Sequence, residues 1–244
     1  MTMSEAYYKH PRIYCDQALS KHRSISLTKR QAHYFCNVMR RKNGDIIRIF
    51  NENDGEWIGA LQNLSKKSGN VSIQDQIRPI KEENLRIHLF FTPLSKNRMD
   101  WLIEKATELG VYSLHPVLTQ NTEIRKIKND RIRAQIIEAA EQCERLRIPR
   151  LFDLQTFEVA LQNWEEVHHD GDILACLERS DTKPITNSKQ EAGDIAILIG
   201  PPGGFTAEEK ITLLGNDAVT PVSLGETILR AETAALSALS ILRS

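Results

Sequence analysis

Two short apolar segments, each followed by glycine and then by a helical pattern, dominate the last quarter of the chain. The first segment, residues 195–199, is a continuous apolar run of strand length, which is typical of a buried parallel strand. The loop G-P-P-G-G follows it, where glycines allow a close approach of backbone to a ligand. Thr206 and Glu209 have capping-box spacing, so we expect a helix to begin there.

The second segment repeats this arrangement. Residues 219–224 form a predicted strand, Gly225 opens the next loop, and a helix is expected to begin near Arg230. That helix has a narrow face of small side chains, suited to close packing in the core or against a partner, made of Ala231, Ala234, Ala235 and Ala238.

Neither loop has the sequence of a common phosphate-binding loop. No Gly-Lys-Ser/Thr follows, and G-P-P-G-G does not match the dinucleotide motif G-x-G-x-x-G. From spacing alone, a ligand site and two ordinary strand-to-helix turns are therefore both open interpretations.

The residues of these loops resemble the signature of the SPOUT-class RNA methyltransferases, most closely the RsmE family. That family methylates uridine N3 in ribosomal RNA of the small subunit, and it shows G-P-E-G-G-F/W followed by L-G-x-x-I-L-R-x-E-T-A. Pro202 stands where the family usually has Glu. The second motif is matched over its length, at Leu224, Gly225, Ile228, Leu229, Arg230, Glu232, Thr233 and Ala234.

The first third of the chain predicts a small β-rich module with short strands around one helix. The helix should begin after Thr28 and run to about Arg41. The stretch after His33 resembles the PUA-like RNA-binding domain of the same family. The residues of this helix end that could contact phosphate, or merely favour the helix dipole, are Arg40, Arg41 and Lys42.

Charge is unevenly distributed along a chain whose formal net charge is zero. Residues 1–84 contain 14 Lys and Arg against 9 Asp and Glu, and the remainder is acidic. A basic first part is compatible with a polyanionic partner, although an ordinary solvated surface would give the same count.

Beyond residue 84, apolar strands alternate with amphipathic helices, which predicts a mostly parallel sheet of five strands. We expect Asn97 to cap a helix that ends before Gly110, and a second helix to cover residues 130–145. Two segments here also resemble the family, and the RNA-contact candidates that they contain are Lys96, Arg98 and Arg145.

The resemblance implies two domains, a PUA-like β-barrel over residues 1–80 and a SPOUT methyltransferase domain over residues 81–244. It implies an α/β domain whose mostly parallel sheet has helices on both faces and a trefoil knot, and a homodimer. It implies S-adenosylmethionine as cofactor and small-subunit ribosomal RNA, assembled in the subunit, as partner. The implied cofactor residues are Leu177, Glu178, Ile199, Gly200, Pro201, Gly203, Gly204, Leu224, Gly225, Ile228, Leu229 and Arg230.

Methyl transfer to uridine N3 requires loss of the N3 proton and needs no metal, so we expect no metal site. Arg230 cannot be the base, because a guanidinium stays protonated, but it can stabilise the developing uracil anion. Glu232 is the nearest candidate base, although an acidic residue also suits the first turn of a helix. Glu178 and solvent are the other candidates.

Two other functions are open from the sequence. One is a SPOUT enzyme that methylates another atom, such as the ribose 2′-OH, and the other is an RNA-binding protein without catalysis.

The four cysteines are scattered without a C-x-x-C pair, and the chain has neither an apolar run long enough to span a membrane nor a signal peptide. We therefore expect a cytoplasmic protein.

Overall fold

The computed structural model describes residues 7–168, 171–177 and 182–244, and their contacts divide the chain into two compact units. The first unit contains the described residues up to Glu82 together with Glu141–Ile148. The second contains Glu83–Ala140 and the described residues from Pro149 to Ser244. No described helix is long and apolar enough to cross a membrane.

A five-stranded sheet forms the first unit, in the order β1-β3-β4-β5-β2. Its core is apolar and is closed on one side by a short helix, α1, and the turn after it, where Ala32 and Phe35 are fully buried. The prediction of a small β-rich module is confirmed. Its elements are β1 Arg12–Tyr14, β2 Ser24–Ser26, α1 Lys29–His33, β3 Ile46–Asn51, β4 Gly55–Gln62 and β5 Asn70–Arg78.

The predicted end of α1 at Arg41 is wrong. The α-helix ends at His33 and continues as a π-helical turn over Tyr34–Val38. Arg40 then adopts a left-handed conformation with φ of 53°, which ends the helical path. The start of α1 is as predicted, because Thr28 forms a capping box with Gln31.

Two arginines that pair with a buried carboxylate bind the segment Glu141–Ile148 to this sheet. Glu56 on β4 is fully buried and accepts hydrogen bonds from Arg12 at 2.8 Å and Arg78 at 3.1 Å. Arg12 also donates to the main-chain oxygen of Arg145 at 2.8 Å, and Arg78 donates to that of Glu144 at 3.0 Å. Burial of a carboxylate is tolerated only when it is paired, so these arginines make the segment part of the first unit.

The second unit is built on a parallel sheet in the order β11-β13-β10-β12-β6-β7-β8, with β9 paired to β7. The prediction of a mostly parallel α/β sheet is confirmed, and three two-residue strands extend the five predicted ones. The strands are β6 Leu85–Phe91, β7 Ser113–Leu118, β8 Arg150–Leu151, β9 Gln155–Thr156, β10 Asp172–Cys176, β11 Lys183–Pro184, β12 Gly193–Ile199 and β13 Val219–Ser223.

Five α-helices among the described residues accompany this sheet. One group, α4 and α5, packs through Trp164 and Leu213 on one side of the strands, and α6 packs against α2, β6 and β12. The alanine face of α6 is used in the core, where Ala235 and Ala238 are fully buried. The helices are α2 Lys96–Glu108, α3 Asn129–Gln142, α4 Phe157–Val167, α5 Ala207–Leu214 and α6 Ala231–Arg243.

Two predicted helix boundaries are wrong. Asn97 does not cap α2, because the helix begins one residue before it and Ser95 occupies the cap position without a side-chain hydrogen bond. The helix predicted over residues 130–145 ends at Gln142, and Glu144 has a left-handed φ of 59°. The residues after Gln142 belong to the first unit, which is a tertiary cause for the end of α3 that a periodicity argument does not contain.

Candidate active site

The two glycine-containing loops lie at the same edge of the second unit's sheet, because β12 and β13 are both parallel partners of β10. The first loop follows Ile199 and the second follows Ser223. Ligands of open parallel sheets bind at the carboxyl ends of the strands, so this edge is the candidate site.

The first loop is a tight turn closed by a hydrogen bond from the Gly204 N–H to the Pro201 carbonyl at 2.8 Å. Gly200 cannot carry a side chain here, since a Cβ would lie 2.7 Å from the Phe205 ring. Gly204 has a left-handed φ of 71°, and a Cβ on it would meet nothing within 4 Å. The loop therefore has open space beside its backbone. The Pro202 side chain, at the position of the family Glu, is exposed.

The helix after this loop begins as predicted. Thr206 Oγ1 accepts from the Glu209 N–H at 3.2 Å, and Glu209 Oε2 accepts from the Thr206 N–H at 2.8 Å. The second oxygen of the Glu209 carboxylate accepts from the Gln120 N–H at 2.7 Å. Glu209 thereby joins the first turn of α5 to the chain that leaves β7, a contact with no signal in the sequence.

The second loop presents backbone and apolar side chains to solvent. Ser223 Oγ accepts from the Gly225 N–H at 3.1 Å, and Gly225 has a φ of 119° that favours glycine. Ile228 is 57% exposed, and Leu224 and Leu229 are half-buried nearby in the chain. This apolar surface suits a planar, partly apolar ligand.

Arg230 is the residue that ends the second loop and occupies the cap position of α6. Its side chain is exposed and makes no ion pair with the described residues. It lies at the helix N-terminus, where partial positive charge accumulates. An unengaged guanidinium at this point can bind an anion or stabilise negative charge that develops on a ligand.

Glu232, one of the predicted catalytic residues, is held by Arg98. Two nitrogens of the Arg98 guanidinium donate to the two carboxylate oxygens at 2.8 and 2.5 Å. Burial alone would raise the pKa of Glu232, but the hydrogen bonds from Arg98 outweigh it and leave the pKa lowered. The carboxylate is therefore ionised and weakly basic, which disfavours it as the proton acceptor.

The end of β10 supplies the third part of the site. Leu177 is buried, and its N–H donates to the Val222 carbonyl at 3.3 Å. Glu178, the other predicted cofactor residue here, lies outside the described residues. Cys176 is partly buried at the end of β10, and burial raises the pKa of its thiol to about 12.

Thr92 is a residue of this edge that the sequence did not single out. It follows the last residue of β6 and is 1% exposed. Its hydroxyl has no hydrogen-bond partner among the described residues. Buried hydroxyls usually have a partner, so Thr92 is a candidate for a polar contact to a ligand at this edge.

The predicted RNA-contact residues differ in how exposed they are and in whether protein groups already bind them. Arg40 and Lys42 are exposed in the first unit and Arg41 is half-buried, whereas Lys96 is exposed at the start of α2 in the second unit. The guanidinium of Arg98 is engaged by Glu232. Arg145 is half-buried, and its carbonyl is bound by Arg12.

A second polar cluster lies at the opposite edge of the sheet. His88 Nε2 is 2.9 Å from Asp194, His88 Nδ1 is 2.6 Å from Ser113 Oγ, and that hydroxyl is 2.6 Å from His115 Nε2. His88, His168 and Asp194 offer ligand atoms within 4.8 Å of one another. Asp194 is also bound by the Arg86 guanidinium, which already balances its charge.

The chain matches two families of known proteins. The RNA methyltransferase domain family matches residues 81–243, and the RNA methyltransferase PUA domain matches residues 27–74. The chain is 29% identical over 239 residues to ribosomal RNA small subunit methyltransferase E of Rickettsia conorii, covering 96% of each chain. The PUA-domain match thus lies within the β-rich first unit, and the RNA methyltransferase domain match follows it in the chain.

Two solved structures have the same architecture over nearly the whole chain. A ribosomal RNA small subunit methyltransferase E of Neisseria gonorrhoeae bound to S-adenosyl methionine is 26% identical, with a TM-score of 0.84 and 95% of both chains covered. A Legionella pneumophila protein solved in complex with SAM is 29% identical, with a TM-score of 0.81, and the similarity covers 96% of this chain and 97% of that one.

Proposed function

The chain belongs to the RNA methyltransferase family, and on that premise we propose that it transfers a methyl group from S-adenosylmethionine to N3 of a uridine in small-subunit ribosomal RNA. The observation that carries the proposal is the pair of glycine-containing loops at one sheet edge, in the order and with the residues of the RsmE signature. The loop residues provide main-chain groups and apolar surface rather than a metal site or a phosphate cradle.

The residues at this edge fit the proposed cofactor. Gly204 and Gly225 leave open space where a side chain would stand, and Ile228 offers an exposed apolar contact. When bound, S-adenosylmethionine supplies an electrophilic methyl group on a sulfonium. We assign its binding to the end of β10 at Leu177 and Glu178, to the first loop (Ile199, Gly200, Pro201, Gly203 and Gly204), and to the second (Leu224, Gly225, Ile228, Leu229 and Arg230).

The chemistry requires a uracil that has lost its N3 proton. Arg230 is exposed, unpaired among the described residues and next to the second loop, so we assign it the stabilisation of negative charge on the uracil. Glu232 lies in the first turn of the following helix and is tied to Arg98. We therefore assign Glu232 a positioning role, and the candidates for proton removal are Glu178 and solvent.

We further propose that the two parts of the chain have different functions. Residues 1–80 form the PUA-like RNA-binding domain, with Arg40, Arg41 and Lys42 as phosphate contacts, and residues 81–244 form the methyltransferase domain. A trefoil knot formed by the cofactor loops, a homodimer, the assembled small subunit as substrate and a cytoplasmic location belong to the same proposal. The family match and the extent of the structural similarity support them.

The experiment that tests the proposed function uses small ribosomal subunits from cells that lack this protein. Purified protein and S-adenosylmethionine should add one methyl group, and mass spectrometry of nuclease digests should identify 3-methyluridine. A 2′-O-methylated nucleotide would overturn the N3 assignment, and binding of the subunit without methyl transfer would overturn the enzyme assignment.

A further inference from the structure

The turn that follows β7, residues 119–122, is hydrogen-bonded to the candidate active site, and the chain becomes exposed after it. Residues 119–122 form a turn in which the Thr119 N–H donates to Thr122 Oγ1 at 2.9 Å, and both threonines are buried. Asn121 Nδ2 donates to the Gly204 carbonyl at 2.9 Å and is 3.4 Å from the Gly203 carbonyl. The turn therefore contacts the first cofactor loop directly.

The preceding residue, Gln120, makes a second hydrogen bond between this turn and the site. The Gln120 N–H donates to the carboxylate of Glu209, which also closes the capping box of α5. The Gln120 main chain thus binds the first turn of α5, and the Asn121 side chain binds the loop that precedes this helix. This fixes where the following residues leave the site.

The segment that follows, residues 123–128, is basic and mostly solvent-exposed. We call it the basic loop. Arg125, Lys126 and Lys128 are exposed, and none of them makes an ion pair with the described residues. Glu123 is its one acidic residue, so the loop carries a formal charge of +2. Arg125 also lines a cavity of about 340 Å³ beside Thr206 at the start of α5.

We propose that the basic loop is an RNA-contact site that holds the phosphate backbone next to the methyl acceptor. The inference rests on the proposed function, because it names the surface by which that site receives its RNA. Unpaired cations that a rigid turn holds beside an active site are suited to a polyanion. Arginines whose role is in the fold are paired here, as Arg98 and Arg131 are.

The proposal also gives a role to the hydrogen bonds that Gln120 and Asn121 make to the site. Asn121 contacts the loop that we assign to the cofactor, and Arg125 lies four residues later. Phosphate bound by the basic loop is therefore positioned relative to the same backbone that positions the methyl group. Positioning of this kind converts binding of a large substrate into alignment of the reacting atoms.

The test compares two double variants of the full chain. Arg125→Ala with Lys126→Ala removes two exposed charges from the basic loop. Lys128 is retained, so that the residue whose carbonyl accepts the first hydrogen bonds of α3 is unchanged. The matched control, Arg150→Ala with Lys189→Ala, removes two exposed charges where β8 begins and before β12, at the opposite edge of the sheet.

Binding to small subunits from cells lacking the protein is measured over a range of salt concentrations. For the basic-loop variant, the magnitude of the slope of log K against log salt should fall by about 1.4 to 1.8, because each of the two lost phosphate contacts changes it by roughly 0.7 to 0.9. Its affinity for S-adenosylmethionine alone, by calorimetry, should stay within about twofold of the unmodified protein. The control should keep the original slope.

A slope within about 0.3 of the unmodified protein's would remove the basic loop from the RNA surface. An equal loss in both variants would also overturn the proposal, since it would reflect net charge rather than a site. Failure of the proposed function is distinguishable, because it would show as absence of methyl transfer by the unmodified protein, whereas the salt slopes report RNA contact whether or not transfer occurs.

Discussion

Arg98 on α2 binds both oxygens of Glu232 on the first turn of α6, across 134 residues of sequence. This ion pair fixes the helix that begins after Arg230, and it lowers the basicity of the carboxylate. A residue that the sequence offered as a base is therefore better understood as the anchor of its neighbour.

The first prediction concerns this pair. Glu232→Gln and Arg98→Gln should each lower the free energy of unfolding by about 1–3 kcal/mol, and the double variant should cost less than the sum, because the two side chains share one interaction. Urea unfolding of the four proteins gives the coupling. Additive losses would mean that the pair contributes nothing jointly. If Glu232 were the base, the methylation rate would fall at acidic pH as its carboxylate becomes protonated, and Glu232→Gln would abolish this pH dependence. We expect the variant to keep the pH dependence of the unmodified protein.

The second prediction concerns Arg230. If it stabilises charge that develops only as N3 attacks, Arg230→Ala should slow single-turnover methylation by about two to three orders of magnitude with little effect on cofactor affinity. Arg230→Lys should restore little, since an ammonium does not reproduce the planar guanidinium.

Arg243 provides the control, because it lies at the other end of the same helix and binds the Leu109 and Gly110 carbonyls. Arg243→Ala should lower the melting temperature and spare the chemical step. A rate for Arg230→Ala within about threefold of the unmodified protein would end its catalytic assignment.

The third prediction concerns the glycine loops. Gly225→Val should weaken S-adenosylmethionine binding at least tenfold in calorimetry, because valine is strained at a φ of 119° and would fill the open space beside the loop. Gly44→Val is the matched control in the first unit, since Gly44 also has a left-handed φ, of 91°, and a Cβ on it would likewise meet nothing within 4 Å. Equal loss of affinity in both variants would indicate a general folding defect.

The fourth prediction concerns acid. Burial lowers the pKa of His88 to about 4 and that of His115 to about 3, so both are neutral in the folded protein at about pH 6. Between about pH 6.5 and pH 4 the unfolded chain binds protons that the folded chain does not, so stability falls as pH falls, by up to about 1.4 kcal/mol per pH unit for each histidine.

His115→Phe should make this acid dependence shallower, because phenylalanine can keep the stacking with Phe90 and Phe152 while removing the titrating group. Urea midpoints between about pH 4 and pH 7 measure the slope. The unmodified protein, measured in parallel, provides the reference slope. An unchanged slope in His115→Phe would show that this residue is not the source of the acid sensitivity.

The sequence predicted the elements whose causes are local. The strand at residues 195–199, the capping box of Thr206 and Glu209, and the turn to α6 near Arg230 are each specified by neighbouring residues, and the structure has all three. The alanine face of α6 was also visible, although only the structure places it in the core.

The remainder depends on contacts between residues far apart in the chain. Nothing in the local pattern links Arg98 to Glu232, Asn121 to Gly204, or Glu209 to Gln120. The early end of α3 likewise follows from contacts made by the segment after Gln142, not from its helical periodicity. The run R-K-I-K at residues 125–128 was a signal for the basic loop, but nothing in the sequence showed that this loop lies close to the first glycine-containing loop.

The segment Glu141–Ile148 also has a consequence for how this protein is made. The arginines that bind Glu56 also bind main-chain oxygens of this segment, which is synthesised about 60 residues after the first unit's own strands. At typical rates of roughly 5–20 residues per second, the nascent first unit waits about 3–12 seconds for these acceptors. During synthesis, the strands of the N-terminal sheet thus emerge well before the segment that completes the first unit, and until then the two arginines around the buried carboxylate lack these main-chain acceptors.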